Sequence, residues 1–130
     1  MLPSNQEAHY LGDIVEEIDR ALSFIEGMNM PEFMNDMRTV YAVEKALQNA
    51  IEACIKIEGR KQKIDGKKVP SGRFNALIKD VDFVSIKDSA NAIRHDYANV
   101  RPQSIWIELN GRMKDVRDAA EKLLNAKRTK

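Results

Sequence analysis

The chain has 130 residues and a formal net charge of +1; 43% of its residues are hydrophobic and 32% are charged. This length and composition are ordinary for one globular domain with a single core, and the near-zero charge excludes a strongly basic nucleic-acid coat. With Cys54 as its one cysteine, the chain cannot form an internal disulfide, and the apolar pattern around Cys54 predicts a buried, inert thiol. Because the chain also has only two histidines, we do not expect zinc ligation. With no apolar run of membrane-spanning length and no secretion-signal pattern, we expect a cytoplasmic protein.

Apolar residues recur every three or four positions along most of the chain, which is the pattern of amphipathic helices. The first helix is predicted from the stripe between Leu11 and Ile25, with Gly27 as its stop. Pro31 then opens a long second helix that extends to Ile55. Its apolar surface is broader than one partner helix needs, so we expect it to contact both its own core and another subunit.

The segment 59–70 interrupts this periodicity with two glycines, one proline, and five basic residues against one acidic residue. This composition predicts an exposed basic loop. Its cations are suited to salt-dependent attraction of RNA phosphates, although a solubilising turn is the favoured interpretation. The basic residues are Arg60, Lys61, Lys63, Lys67 and Lys68.

The rest of the chain is also predicted to be helical. A short helix follows from Ser71, and Asp82 is the predicted N-cap of a helix that leads into the segment around His95. Pro102 opens the last helix, and the basic tail 126–130 is expected to fray. No period-two alternation is long enough for a sheet. The predicted fold class is all-α: an up-and-down bundle of four main helices and one short helix in a single domain.

Residues 89 to 97, Ser-Ala-Asn-Ala-Ile-Arg-His-Asp-Tyr, concentrate chemically capable side chains. His95 can accept and donate a proton near neutral pH, and Arg94 brings a permanent cation with donors suited to a phosphate. Asn91 and His95 are four residues apart, which places them on one face of a helix. Taken alone, a histidine in a helical protein is more often structural or solvated.

A wider pattern surrounds this segment. It consists of an aromatic residue followed by Ile, then Asn, three residues, His, any residue and Tyr, with a Pro and an Ile-Trp pair downstream. The residues at these positions are Phe83, Ile86, Asn91, His95, Tyr97, Pro102, Ile105 and Trp106. With this pattern the chain resembles the HEPN superfamily, and within it the HepT-like toxin ribonucleases that pair with minimal nucleotidyltransferases. The resemblance covers nearly the full length, including the run 24–43.

The resemblance implies a HEPN-type bundle and a homodimer whose site forms in a cleft between protomers. It also implies metal-independent endoribonuclease activity without a cofactor, in which His95 handles a proton and an arginine stabilises charge at the phosphate. The implied partner is a nucleotidyltransferase antitoxin that modifies Tyr97 with AMP. The alternative for Tyr97 is a boundary aromatic whose hydroxyl reaches water.

One position departs from the family pattern, because Ala90 stands where the motif has arginine, and Ser89 and Asp88 occupy the other two permitted positions. Arg94 lies four residues on, about 40° away in azimuth and roughly 6 Å along the helix axis. Helical side chains lean toward the N-terminus, so we hypothesise that Arg94 partly substitutes for the missing group. The alternative is a solvated Arg94 in a catalytically inactive HEPN-domain binding protein that dimerises and pairs with a nucleotidyltransferase. Asn91 has two interpretations. In the functional one it orients the histidine or holds a phosphate oxygen, and in the structural one it caps or bridges helices.

Overall fold

A computed structural model describes residues 1–94 and 101–129, without the side chains of residues 94 and 101. The described residues are predominantly helical, which confirms the predicted all-α class. The elements in chain order are α1 (Asn5–Phe24), α2 (Met30–Met34), α3 (Met37–Glu58), β1 (Gln62–Ile64), β2 (Lys67–Val69), α4 (Arg73–Leu77), α5 (Phe83–Arg94), α6 (Arg101–Glu108), a π-helical turn (Leu109–Met113) and α7 (Lys114–Arg128).

Helix α1 begins at a capping box. The Ser4 hydroxyl accepts from the Glu7 backbone N–H at 3.1 Å, and the Glu7 carboxylate accepts from the Ser4 backbone N–H at 2.8 Å. The helix ends at Phe24, three residues before Gly27, whose φ of +79° turns the chain away. Its inward face packs along α3 and α7, as the apolar stripe predicted.

The long second helix predicted from Pro31 is wrong, because the chain forms two helices there, α2 and α3. The break falls at Asn35 and Asp36. The Asp36 carboxylate accepts from the Thr39 backbone N–H at 3.2 Å and so caps a new helix. Apolar periodicity continues across this break, which is why the periodicity alone did not reveal it.

The segment 59–70, predicted as a loop, contains a β-hairpin. Strands β1 and β2 pair antiparallel, with Lys63 opposite Lys68. Asp65 and Gly66 form the turn with φ of +52° and +77°, the two positive values that a tight type I′ hairpin turn requires. The segment is exposed as predicted, with only Val69 partly covered among its strand residues.

The next two helices agree with the prediction. In the short helix α4, Phe74 and Leu77 face the core. Helix α5 begins after Asp82, whose carboxylate accepts from the Val84 backbone N–H at 3.2 Å, as expected of an N-cap. Helix α5 therefore has a fixed start, and it carries the candidate residues at its other end.

The last predicted helix is divided by the π-helical turn into α6 and α7. Helix α7 continues through Arg128, so the tail expected to fray is helical up to that residue. The Lys127 ammonium donates to the Pro3 carbonyl at 2.9 Å, which ties this end of α7 to the segment before α1.

The core lies between α1, α3 and the α6–α7 segment, with α4 and α5 closing its end. Cys54 is fully buried there, and burial raises the pKa of its thiol to about 12, in agreement with the predicted inert thiol. Not all of the long apolar surface is covered, since Met37 and Tyr41 on α3 are exposed. Within the described ranges, no helix is both long and apolar enough to cross a membrane.

Candidate functional site

Helix α5 positions the part of the candidate site that the structure describes. Asn91 is exposed in its last turn, and the backbone of Arg94 forms its final helical residue. The side chain of Arg94, and the whole of His95 and Tyr97, lie outside the described residues. The structure thus gives the setting of Asn91 and of the positions just before it.

Those preceding positions face the protein interior. Ser89 is fully buried and Ala90 is 8% exposed, and Ile93, two residues after Asn91, is buried as well. Ala90 belongs to the hydrophobic core, so the position where the family motif has arginine is packed against apolar side chains in this chain.

A polar cluster lies beside Ala90, formed by Ser89, Glu108 and Arg112. The Ser89 hydroxyl donates to the Glu108 carboxylate at 2.5 Å. Arg112 Nη1 donates to the Ser89 hydroxyl at 2.7 Å and to the backbone carbonyl of Ser85. Arg112 Nη1 also lies 3.6 Å from the Glu108 carboxylate. This Ser89–Glu108–Arg112 cluster joins α5 to the segment that follows α6.

The π-helical turn keeps the apolar residues of this segment facing the core, while Glu108 and Arg112, four residues apart, lie on one side of the helix. Apolar positions Ile105, Leu109 and Met113 are four residues apart, and in a regular α-helix these eight residues would rotate about 80° past two full turns. The wider π-helical turn absorbs this drift, so all three remain buried. Such turns occur often at functional sites, because they redirect side chains within a helix.

Arg112 is partly open to solvent. Its side chain is 33% exposed. All hydrogen bonds from the Arg112 guanidinium to residues within 1–94 and 101–129 come from Nη1, and none comes from Nε or Nη2. The guanidinium therefore presents further donors of its planar fork, the geometry that suits a phosphate. It is the cation that the structure places against Ser89, next to Ala90.

Sequence reasoning missed Arg112. One local signal is present, since Glu108 and Arg112 are four residues apart and Asn110-Gly111 interrupts the helix there. The contact with Ser89, however, spans 23 residues of sequence, and no periodicity predicts it.

The other predicted binding residues lie on the hairpin and at its base. Arg60 and Lys61 precede β1, and Lys63, Lys67 and Lys68 lie within the strands, all of them exposed. In the part of the chain that the structure describes, no group of three or more His, Cys, Asp or Glu side chains is arranged to hold a metal ion.

Comparison with known families places this helical bundle. The family model described as Ribonuclease HepT-like matches residues 14–123. The chain therefore belongs to the HepT-like ribonuclease family, as the pattern around His95 predicted. Comparisons with curated proteins and with solved structures found no match.

Proposed function

We propose that this protein is the toxin component of a toxin–antitoxin module, acting as a metal-independent endoribonuclease with a degenerate motif. The observation that carries the proposal is the family match, which spans residues 14–123. The exposed position of Asn91 at the end of α5 supports it, because this residue then lies where a substrate has access.

The proposed reaction is a transesterification within RNA. The 2′-oxygen forms a bond to the adjacent phosphorus while the bond from phosphorus to the 5′-oxygen breaks, which yields a cyclic phosphate and a 5′-hydroxyl. One proton leaves the 2′-hydroxyl and one reaches the 5′-oxygen, and His95 is the proposed carrier. Asn91 orients this histidine or holds a phosphate oxygen.

Two cationic side chains are candidates for the role of the missing motif arginine. Arg94 is the first, on the helical geometry given above. Arg112 is the second, because its guanidinium bonds to Ser89, one of the positions at which the family motif places arginine, and keeps donors free of the described residues. Either would stabilise the charge that develops at the phosphate.

The proposed assembly is a cytoplasmic homodimer that pairs with a minimal nucleotidyltransferase antitoxin, with Tyr97 as the AMP acceptor.

One observation favours the second candidate function, a catalytically inactive binding protein with the same partners. Ala90 is packed into the core, so it leaves the motif without its usual cation.

RNA cleavage by the purified protein tests the proposal. We expect the wild type to cut RNA in the presence of a metal chelator, and His95→Ala to lose 10²-fold to 10⁴-fold in rate, on the order of a general acid–base contribution. Loss of the cation that acts should cost about 10²-fold or more, so Arg94→Ala and Arg112→Met identify it. Equal activity in all four proteins would refute these roles, and no cleavage by the wild type would refute the nuclease and leave the binding protein as the proposed function.

Expression in bacterial cells with and without Ala90→Arg tests the degenerate motif. We expect restored arginine to increase growth inhibition. Because Ala90 is packed in the core, the larger side chain also costs stability, about 1–3 kcal/mol, and urea unfolding of the purified variant must confirm that it folds. A folded variant that inhibits growth no more than the wild type would contradict the proposal that Ala90 attenuates the toxin.

A further inference from the structure

The hairpin holds two like charges directly against each other. Lys63 and Lys68 are an antiparallel pair, so their side chains lie on the same face of the ribbon, with Cβ atoms about 5 Å apart. Like charges at opposed positions destabilise a sheet. Lys67 pairs with Ile64 and therefore lies on the other face.

This two-lysine face continues into a cavity of about 330 Å³ between the base of the hairpin and the start of α5. Lys61 and Pro70 lie two residues beyond Lys63 and Lys68 along the chain, so the alternation of the ribbon places them on the same face, and both line the cavity. The opposite wall includes Phe83 and Lys87 of α5. The Lys87 ammonium lies 5.6 Å from the centre of the Phe83 ring, a cation–π contact that holds it at this wall.

The carboxylates beside the cavity are already engaged. The two oxygens of Glu58 accept from the backbone N–H groups of Gly72 and Phe74, at 3.1 and 3.0 Å. The Asp82 carboxylate caps α5. No ion pair joins the lysines of this face to any residue in 1–94 or 101–129, so their charges are available to an anionic ligand.

Lys87 also connects this face to the candidate site. Lys87 and Asn91 are four residues apart and both exposed, so they share one face of the helix. The path runs from the hairpin through the cavity to the last turn of α5.

We propose that Lys61, Lys63, Lys68 and Lys87 form a track for the phosphate backbone of single-stranded RNA, with a base lodged in the apolar part of the cavity. The proposal rests on the ribonuclease function and gives that site its substrate path. Bound phosphates relieve the repulsion between the paired lysines, and unstacked bases insert between apolar and aromatic side chains.

Fluorescence anisotropy with a labelled single-stranded RNA tests the track. All 2′-hydroxyls of the probe are O-methylated, so that the proposed cleavage cannot change it. For a single strand, each phosphate contact contributes about 0.7 to the slope of log Kobs against log salt concentration. We therefore expect Lys63→Gln, Lys68→Gln and Lys87→Gln each to reduce this slope by about 0.7. The matched control is Lys67→Gln. The sequence grouped Lys67 with the other basic residues of this segment, but the hairpin register places it on the opposite face, outside the proposed track. Removing its charge should therefore leave the slope unchanged.

Equal effects of Lys63→Gln and Lys67→Gln would overturn the track, since net charge rather than one face would then explain binding. Slopes unchanged in every variant would overturn it as well, as would tighter binding to vesicles of anionic phospholipid than to RNA. The proposed RNA track and the proposed nuclease activity can be refuted independently of each other. Face-specific binding without cleavage of ordinary RNA by the wild type refutes only the nuclease, and cleavage with unchanged slopes refutes only the track.

Discussion

Ser89 is a single hydroxyl group on which two charged side chains converge. It is fully buried, it donates to Glu108, and it accepts from Arg112. Replacing Ser89 removes a hydrogen bond from each of the two charged side chains at a fully buried position, and the cost exceeds that of losing an ordinary hydrogen bond.

We therefore expect Ser89→Ala to lower the free energy of unfolding by about 1.5–3 kcal/mol, the range for hydrogen bonds to charged groups. Ser85→Ala is the matched control. Within the described residues, the Ser85 hydroxyl donates to the Asp82 backbone carbonyl, and Arg112 contacts the Ser85 carbonyl, which the substitution retains. Urea unfolding of the two variants measures the difference, and equal losses would show that the charged partners contribute nothing.

From the sequence alone, candidate residues of the site could be predicted only where they are close together. The spacing of Asn91 and His95 predicts that they lie on one helical face, and this prediction needs only the sequence. Arg112 reaches Ser89 from a different helix, and only the packing of α5 against the α6–α7 segment creates the contact. Residues that meet across elements leave no local pattern.

The same distinction holds for whole elements. The start of α5 could be predicted because Asp82 is a suitable N-cap residue and directly precedes the apolar stripe of the helix. The hairpin could not be predicted from alternation, because each strand has only three residues and, apart from the partly covered Val69, all of them are exposed. Asp65-Gly66 was its one signal, a dipeptide typical of tight hairpin turns.

The π-helical turn makes a prediction at this scale. It accommodates one residue more than a regular helix, so deletion of the exposed Asn110 should convert it to α-helix and keep α7 in phase. Deletion of the exposed Asp118 within α7 should instead rotate everything after it by about 100° and turn Ala120 out of the core. We expect a cooperative thermal transition, followed by circular dichroism, only for the first variant. The opposite order of stability would contradict this role of the turn.

On the scale of the molecule, a salt bridge joins residues that are 66 positions apart. Arg73, at the start of α4, makes two bonds to the Glu7 carboxylate at 2.5 and 2.7 Å and so fixes α4 against the first turn of α1. The side-chain hydrogen bond from Arg73 is the main reason that the pKa of Glu7 falls from 4.5 to about 2. The bundle itself was predictable from helical periodicity, but this closure between its ends was not.

The lowered pKa gives this salt bridge a defined pH dependence. The folded state holds the ionised carboxylate more strongly than the unfolded chain does, so its stabilisation is complete above pH 4.5 and is lost as the pH falls toward 2. We expect the coupling energy of a Glu7→Gln and Arg73→Gln double-mutant cycle to decrease over this range. Urea unfolding between pH 7 and pH 2.5 measures it, with the exposed Arg128→Gln as control. A coupling energy that is the same at both limits would contradict the assignment.

The burial of Cys54 has a practical consequence for all of these experiments. Thiol-directed reagents attack the thiolate, and a fully buried thiol with a pKa of about 12 offers almost none at neutral pH. The folded wild-type chain is therefore expected not to react with maleimide dyes. A cysteine introduced at the exposed position of Lys67 would carry the only label, and it would report on the hairpin without any need to replace the native thiol.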